Sequence, residues 1–492
     1  MEYLDPKKEL RHRLVLFTGY ICIAIAIVTA ALVLVYQAYG FGLGKNGHVI
    51  QNGLTFFSSQ PNPANIYING TLNKAKTNAR LVLPEGMYHV QLTRSGYRPW
   101  QRTIELNGGS VEHFDYPLLL PDTLTAKKVQ SFTAAPSFIS QSPDRRWLLV
   151  PSATGITNFE VYDLKTPAKT VTTISLPSTI ITKATSGESW QLVEWAGDNQ
   201  HVLLQHLYDT KTEYILLDRT NPDQSVNLSS SLNLGSTKLS LQDKKYDHYY
   251  IYDAADQELQ TVALRAPTPV RVLQHVLAYQ SYGSDTVLYV TDSGAPAGKA
   301  LVKLTTGSST YTIRSLPASP TYVLDLTKYS GTLYVATGAA SSDKVYIYKD
   351  PVGQLQNLPK QSPVPTQVLH VPQPNYLSFS TNAQFIVAEN GTQFGVYDIE
   401  NKLGYAYVAH EALDAPQLHA SWMDGNRLTY VTGGKLQIFD YDYTNRQTLT
   451  AANATYLPVF APNYKYVYLV APEAGSDQLE LSQTALLAPA DL

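Results

Sequence analysis

The chain has 492 residues, with 37 Lys and Arg against 40 Asp and Glu and a formal net charge of −3. That balance excludes the basic footprint of a nucleic-acid binder, and a single cysteine, Cys22, excludes an intramolecular disulfide and a Cys-based zinc site. Tyr numbers 35 against 13 Phe, with 29 Gly and 29 Pro, a composition that favours strands and turns over helices.

Residues 1–13 carry Lys7, Lys8, Arg11 and Arg13 and lead into Leu14–Tyr36, which contains no charged residue and thirteen Leu, Ile, Val or Phe. As a helix this run spans roughly 35 Å, enough for a hydrocarbon core of ~30 Å. It lacks the polar stripe of a soluble core helix. The first cation after it is Lys45, so the positive-inside bias places residues 1–13 in the cytoplasm and the bulk of the chain outside. A cleaved signal peptide has an apolar run of only about 7–15 residues. The longer run here, with no convincing site at Gln37–Gly40, predicts an uncleaved signal-anchor, a single pass of the plasma membrane. Gly19-Tyr20-Ile21 does not resemble a lipobox, so Cys22 reads as a packed apolar residue.

Residues 37–53 are Gly-rich and read as a short linker or stalk. From Leu54 to Leu118 the pattern alternates with period two between turn residues: Ile66 and Ile68 before Asn69-Gly70, Leu81 and Leu83 before Pro84-Glu85-Gly86, Tyr88, Val90 and Leu92 before Ser95-Gly96. Trp100, Ile104 and Leu106 continue one face, with Arg102 as the exception. This is a small antiparallel β-module. The runs Pro63–Gly70, Leu83–Tyr88 and Gly96–Trp100 resemble the PEGA domain, whose signature turn here reads Pro84-Glu85-Gly86-Met87, with Met in place of the final Ala. The resemblance implies a surface-exposed, β-sandwich-like module of bacterial or archaeal envelope proteins, with no catalysis. Gly86 and Gly96 are expected at turns that need positive φ. Tyr97, Pro99 and Trp100 read first as packing; Tyr97 and Trp100 are also candidate ligand contacts.

Residues 119–125 form a brief connector, and residues 125–483 repeat every 35–50 residues, the range of propeller blades. Each unit has an inner strand ending at a polar turn, as at Ser142-Pro143-Asp144, Gly197-Asp198-Asn199, Thr381-Asn382 and Asp424-Gly425-Asn426. A dense apolar strand follows. A third strand ends in an apolar or aromatic residue plus Asp, at Asp163, Asp218, Asp253, Asp398 and Asp440. The middle, from Thr237 to Val371, is less regular. The count is eight units, with seven as the alternative. Ser142-Pro143-Asp144 is similar to TolB-type and WD40-like propeller repeats. The last unit runs out of chain after Leu481, and Thr125–Phe132 is placed to supply its outer strand and close the ring. Residues 484–492 read as a C-terminal tail. The predicted fold is therefore all-β with one N-terminal transmembrane helix, a β-sandwich-like module and a seven- or eight-bladed β-propeller.

The eleven His are scattered, and no H-E-x-x-H, G-x-S-x-G or P-loop occurs, so no catalytic residue, metal ligand or cofactor is expected. Carboxylates that recur at equivalent repeat positions suit turn capping, because an Asp side chain bonds the backbone two residues on; a catalytic acid would be unique to one unit. Asp440-Tyr441-Asp442-Tyr443 is thin as a cation site, but Tyr441 and Tyr443 are candidate ligand contacts. The function expected is an extracytoplasmic binding or scaffold protein of the cell envelope, not an enzyme, whose partner is an envelope protein or a wall polymer. A propeller hydrolase or lyase acting on envelope glycan or peptide is the alternative. A transmembrane sensor is a third reading, though its cytoplasmic piece is too short for a signalling domain.

Overall fold

The computed structural model describes residues 6–38, 40–43, 49–167, 170–235, 237–357, 361–415, 418–476 and 478–492. Residues 1–5 of the expected cytoplasmic tail and residues 44–48 of the expected linker lie outside the described residues. The chain divides into two compact units, Met1–Thr123 with Leu487–Asp491, and Leu124–Leu486 with Leu492.

In the first unit, helix α1 runs Pro6–Ala38. Its segment Lys8–Gln37 is long and apolar enough to cross a membrane, with an 18-residue stretch of mean hydropathy 2.5, none of which is buried against protein. The Gly-rich stretch after it pairs instead of hanging free: Phe41–Leu43 lies antiparallel to Val49–Phe57, with Phe41 opposite Gln51.

Two four-stranded sheets follow. One contains Val49–Phe57, Phe41–Leu43, Ala79–Pro84 and Val111–Phe114, the last pairing parallel to the first. The other runs in the order Thr71–Lys76, Asn65–Ile68, Gly86–Thr93, Trp100–Leu106. Alternation decides what they bury. Phe57, Ile66, Val90, Leu92, Trp100 and Ile104 form one core. Asn69 and Gly70 both have positive φ, 48° and 79°, the primed turn that matches strand twist. Arg102 interrupts the apolar face because its guanidinium donates to the Tyr116 hydroxyl at 2.7 Å.

The second unit holds eight four-stranded antiparallel sheets among the described residues, over 140–175, 188–227, 238–273, 278–317, 322–370, 376–408, 421–451 and 459–485. Each is a simple meander, and we number them blades 1–8. Blade 8 takes its fourth strand from Ala126–Phe132, which pairs antiparallel with Leu479–Ala485, Phe132 opposite Leu479 and Ala126 opposite Thr484.

Successive blades are joined side by side. Trp195 Nε1 donates to Ser140 Oγ (2.8 Å) between blades 1 and 2, and Trp422 Nε1 donates to Ser378 Oγ (3.1 Å) between blades 6 and 7. Ser240 meets Tyr279 between blades 3 and 4, Phe379 N donates to Asp325 between blades 5 and 6, and Thr450 meets Thr484 between blades 7 and 8. Glu194 accepts from Leu241 N between blades 2 and 3, and blades 4 and 5 share an apolar core with Leu288, Val302, Leu326 and Val335. Gln141 Nε2 donates to Phe460 O at 2.6 Å, which joins blade 1 back to blade 8. Eight meanders closed in this way form an eight-bladed β-propeller, and closure leaves only short, protected edges.

The repeat has a physical cause at each turn. In blades 1, 2, 6 and 7 the second strand begins opposite the Asp that ends the third: Trp147 with Asp163, His201 with Asp218, Phe385 with Asp398, Arg427 with Asp440. Asp163, Asp218 and Asp398 each accept from the backbone N–H two residues on, at Lys165, Thr220 and Glu400. Asp198, Asn382, Asp424 and Asn463 do the same at the preceding turn. Tyr252-Asp253 departs from the expectation. It ends the second strand of blade 3, not the third, and Asp253 caps the hairpin that leads into Glu258.

Candidate binding cavity at the first two blades

The four residues singled out as ligand contacts do not form an open platform. Trp100 is 1 % exposed and Tyr97 5 %, both in the core of the small module. Tyr97 binds the chain's own end. Its hydroxyl donates to Asp491 Oδ2 (2.6 Å) and accepts from Ala488 N (2.7 Å), while Arg94 donates to Asp491 Oδ1 at 2.5 Å. Of the stretch expected as a tail, residues 484–492, Thr484 and Ala485 complete the strand Leu479–Ala485, and Leu487–Asp491 belongs to the first unit. Burial, the largest cause, pushes the Tyr97 hydroxyl up, and the hydrogen bond to Asp491 adds to it.

Tyr441 is buried at 4 % exposure and stacks on Phe385 with centroids 4.0 Å apart. Tyr443 is half-buried. It stacks on Tyr407 at 4.9 Å, its hydroxyl accepts from His410 N at 2.9 Å, and Arg446 lies over its ring. Asp442 accepts from the Thr444 hydroxyl at 2.6 Å, which is turn capping. Tyrosine in this chain packs by its ring and anchors by its hydroxyl, so three of the four candidates are core residues. Among the described residues no group of three or more His, Cys, Asp or Glu is placed to hold a metal ion.

Another place stands out. A cavity of about 350 Å³ opens between the segment 130–137, the hairpin of blade 1 (151–160) and the first strand of blade 2 (188–190). Two carboxylates line it, Glu160 and Glu188, and no Lys or Arg does. Glu160 is fastened to the wall: it accepts from Gln130 Nε2 (2.7 Å) and from the Tyr162 hydroxyl (2.9 Å). Burial, then the nearby Glu160 charge, pushes the Tyr162 hydroxyl well up, so it stays a neutral donor.

Glu188 is held differently. His206, fully buried, sits behind it with Nε2 3.3 Å from Glu188 Oε2 and Nδ1 2.9 Å from Glu213 Oε1. With a carboxylate at each ring nitrogen, the imidazole donates on both sides only when both nitrogens carry protons. The ring is packed by Trp190 (4.8 Å) and Tyr208 (5.3 Å). Glu213 in turn accepts from Thr182 N, Thr182 Oγ1 and Asn227 Nδ2. Burial acts to raise the Glu213 carboxyl, but the hydrogen bonds from Thr182, His206 and Asn227 together hold it below the ordinary value. The result is a rigid chain, Glu213–His206–Glu188, that ends at the cavity.

The repeat explains why this lies in blade 2. Counting from the shared register, His206 and Glu213 occupy the positions of Thr432 and Lys435 in blade 7, where that hairpin turns. Blade 2 continues two pairs further, to Tyr208 opposite Lys211. The sequence signal was therefore available as an overlong hairpin that carries a His and a Glu on one face.

Residues 54–119 match the PEGA domain. The three motifs from which that resemblance was read all fall inside the match. No curated protein matches this chain in sequence. Among solved structures the chain is similar to the Dos1 propeller (13 % identity, TM-score 0.47, covering 74 % of this chain and 94 % of that one). It is also similar to the β-propeller domain of Cps50 (Swd1) from Myceliophteria thermophila (11 %, 0.38, 74 % and 100 %) and to an oligogalacturonate lyase in complex with manganese (10 %, 0.38, 74 % and 99 %). These likenesses concern the fold, and the propeller assignment itself stands on the eight closed meanders. A PEGA domain and a propeller together suit a binding or scaffold protein.

Proposed function

We propose that this chain is a membrane-anchored, extracytoplasmic binding protein of the cell envelope. In this reading α1 stays in the bilayer with its basic N-terminal side in the cytoplasm, and the PEGA module and propeller work outside as non-catalytic presenters to a wall polymer or an envelope protein. One observation carries it. Within the 30-residue span Lys8–Gln37, an 18-residue stretch reaches a mean hydropathy of 2.5 and none of that stretch is buried against protein. Apolar surface on that scale is not stable in water, and a bilayer is the solvent that accepts it. The four cations Lys7, Lys8, Arg11 and Arg13 before the uncharged run Leu14–Tyr36, and their scarcity just after it, support the orientation.

The test is membrane fractionation of cells that express the chain with tags at both ends, followed by protease treatment of intact cells. An anchored, outward-facing protein resists alkaline extraction, keeps its N-terminal tag and loses its C-terminal tag to external protease. A C-terminal tag cleaved only after lysis overturns the orientation.

A further inference from the structure

We propose that the cavity between the first two blades binds an amino sugar through its free ammonium group. This deepens the binding reading above and rests on it.

Charge comes first. The lining holds two carboxylates and no Lys or Arg, so a cation is favoured and an anion is repelled. The acceptor comes second. Glu188 Oε2 faces His206, while Oε1 takes no hydrogen bond from the described residues. Because His206 is locked by Glu213, Trp190 and Tyr208, the Glu188 carboxylate is pre-oriented, and little side-chain entropy is lost when a donor arrives. A charged donor to a charged acceptor in such a site makes the strong class of hydrogen bond.

The walls decide the carrier. Thr133, Ser137 and Ser189 in the lining carry hydroxyls, which both donate and accept, as the hydroxyls of a sugar ring do. Phe132 and Trp190, both buried in the blade cores, form the floor of the cavity and offer no open ring face. The volume, about 350 Å³, lies at the small end of the ~300–1,000 Å³ of ordinary ligand sites and suits a single hexose-sized unit. A bare alkylamine would leave most of these hydroxyls without a partner.

The experiment is calorimetric titration of the full chain in detergent with four probes: glucosamine, N-acetylglucosamine, glucose and Nα-acetyl-lysine methylamide. Glucosamine is expected to bind at least about tenfold more tightly than any of the other three, the ratio that loss of one charge-assisted hydrogen bond gives. Glu188→Gln is expected to lose about tenfold for glucosamine while its thermal transition stays within about 2 °C of the parent. Equal binding of glucosamine and N-acetylglucosamine, an equal or tighter lysine derivative, no binding of any probe, or an unaffected Glu188→Gln each overturns the proposal. If Glu188→Gln fails to fold, Ser189→Ala, expected to lose severalfold, replaces it under the same criteria. The titration is independent of topology. A chain that binds glucosamine but faces inward keeps the site and loses the envelope reading, and an outward-facing chain that ignores glucosamine loses the site alone.

Discussion

Ring closure can be tested at Phe132. This residue ends the closing strand, is 5 % exposed, and packs with Leu148, Val150, Tyr468 and Leu481 in a core shared by blades 1 and 8. Phe132→Ala removes the ring and leaves a cavity where the two ends of the propeller meet, a change that costs ~3–5 kcal/mol. At ~2.1 cal/mol/K of unfolding entropy per residue, over the roughly 360 residues of this unit, that is a fall of about 4–7 °C in its melting temperature. Lys127→Ala is the control. Lys127 lies in the same strand, opposite Gln483, but it is exposed and should shift the transition by less than about 1 °C. The assay is differential scanning calorimetry of the full chain in detergent, with limited proteolysis across residues 126–132 as a second readout, since an opened ring releases that strand from Leu479–Ala485. A fall below 1 °C for Phe132→Ala, or one no larger than the control's, would mean that the first strand does not hold the ring shut.

Three further outcomes follow from the same structure. Burial raises the Asp325 carboxyl to about 6, against the hydrogen bonds from Phe379 N and Leu326 N, so the folded protein keeps this proton over a range in which the unfolded chain releases it. Its contribution is complete below about pH 4 and is lost as pH rises to about 6, about 3 kcal/mol in all. Asp325→Asn should lack that slope when melting temperatures are compared between pH 4.5 and 7; Glu389, raised by burial in the same direction, is common to both proteins and cancels. Tyr97→Phe removes the hydroxyl that meets Ala488 N and Asp491, and hydrogen exchange at the Ala488 amide should speed up by about tenfold with the global transition nearly unchanged. Trp195→Phe leaves Ser140 Oγ without its donor and should cost ~1–2 kcal/mol in chemical unfolding, with most of the loss disappearing in a Ser140→Ala background.

Much of this architecture was legible because the turns demand particular chemistry. An Asx residue that caps the backbone two positions on has few substitutes, so Asp144, Asp198, Asn382, Asp424 and Asn463 mark the same corner in five blades. The closing strand was readable for a related reason: blade 8 lacked a fourth strand, and 126–132 had no other sheet to join. The middle blades were harder because they solve the same corner differently. Blade 5 uses Ser330-Gly331, both at positive φ (48° and 79°), and blade 4 turns at Gly283, φ 63°. A tight primed turn needs no capping carboxylate, so the marker vanishes while the meander remains. In blade 3 the Tyr-Asp pair survived but shifted by one strand, because Asp253 caps a hairpin there.

The site was less legible than the fold, and the aromatic residues show why. Tyr content signals surface contact only when the rings are exposed, yet Tyr249, Tyr250, Tyr348 and Tyr397 are each 1 % exposed or less. Sequence alone does not separate such a ring from a ligand platform, because both need the same amphipathic side chain. What does separate function from framework is departure from the repeat. Every residue needed to build a blade recurs, so selection for folding is visible as agreement between units. Selection for a ligand acts on one unit and appears as disagreement. His206 and Glu213 stand where blade 7 has Thr432 and Lys435, on a hairpin two pairs longer than its counterpart, so a buried imidazole set between two carboxylates is a feature of blade 2 and not of the repeat. Fixing the direction of Glu188 at the mouth of a cavity is the role that the structure offers it.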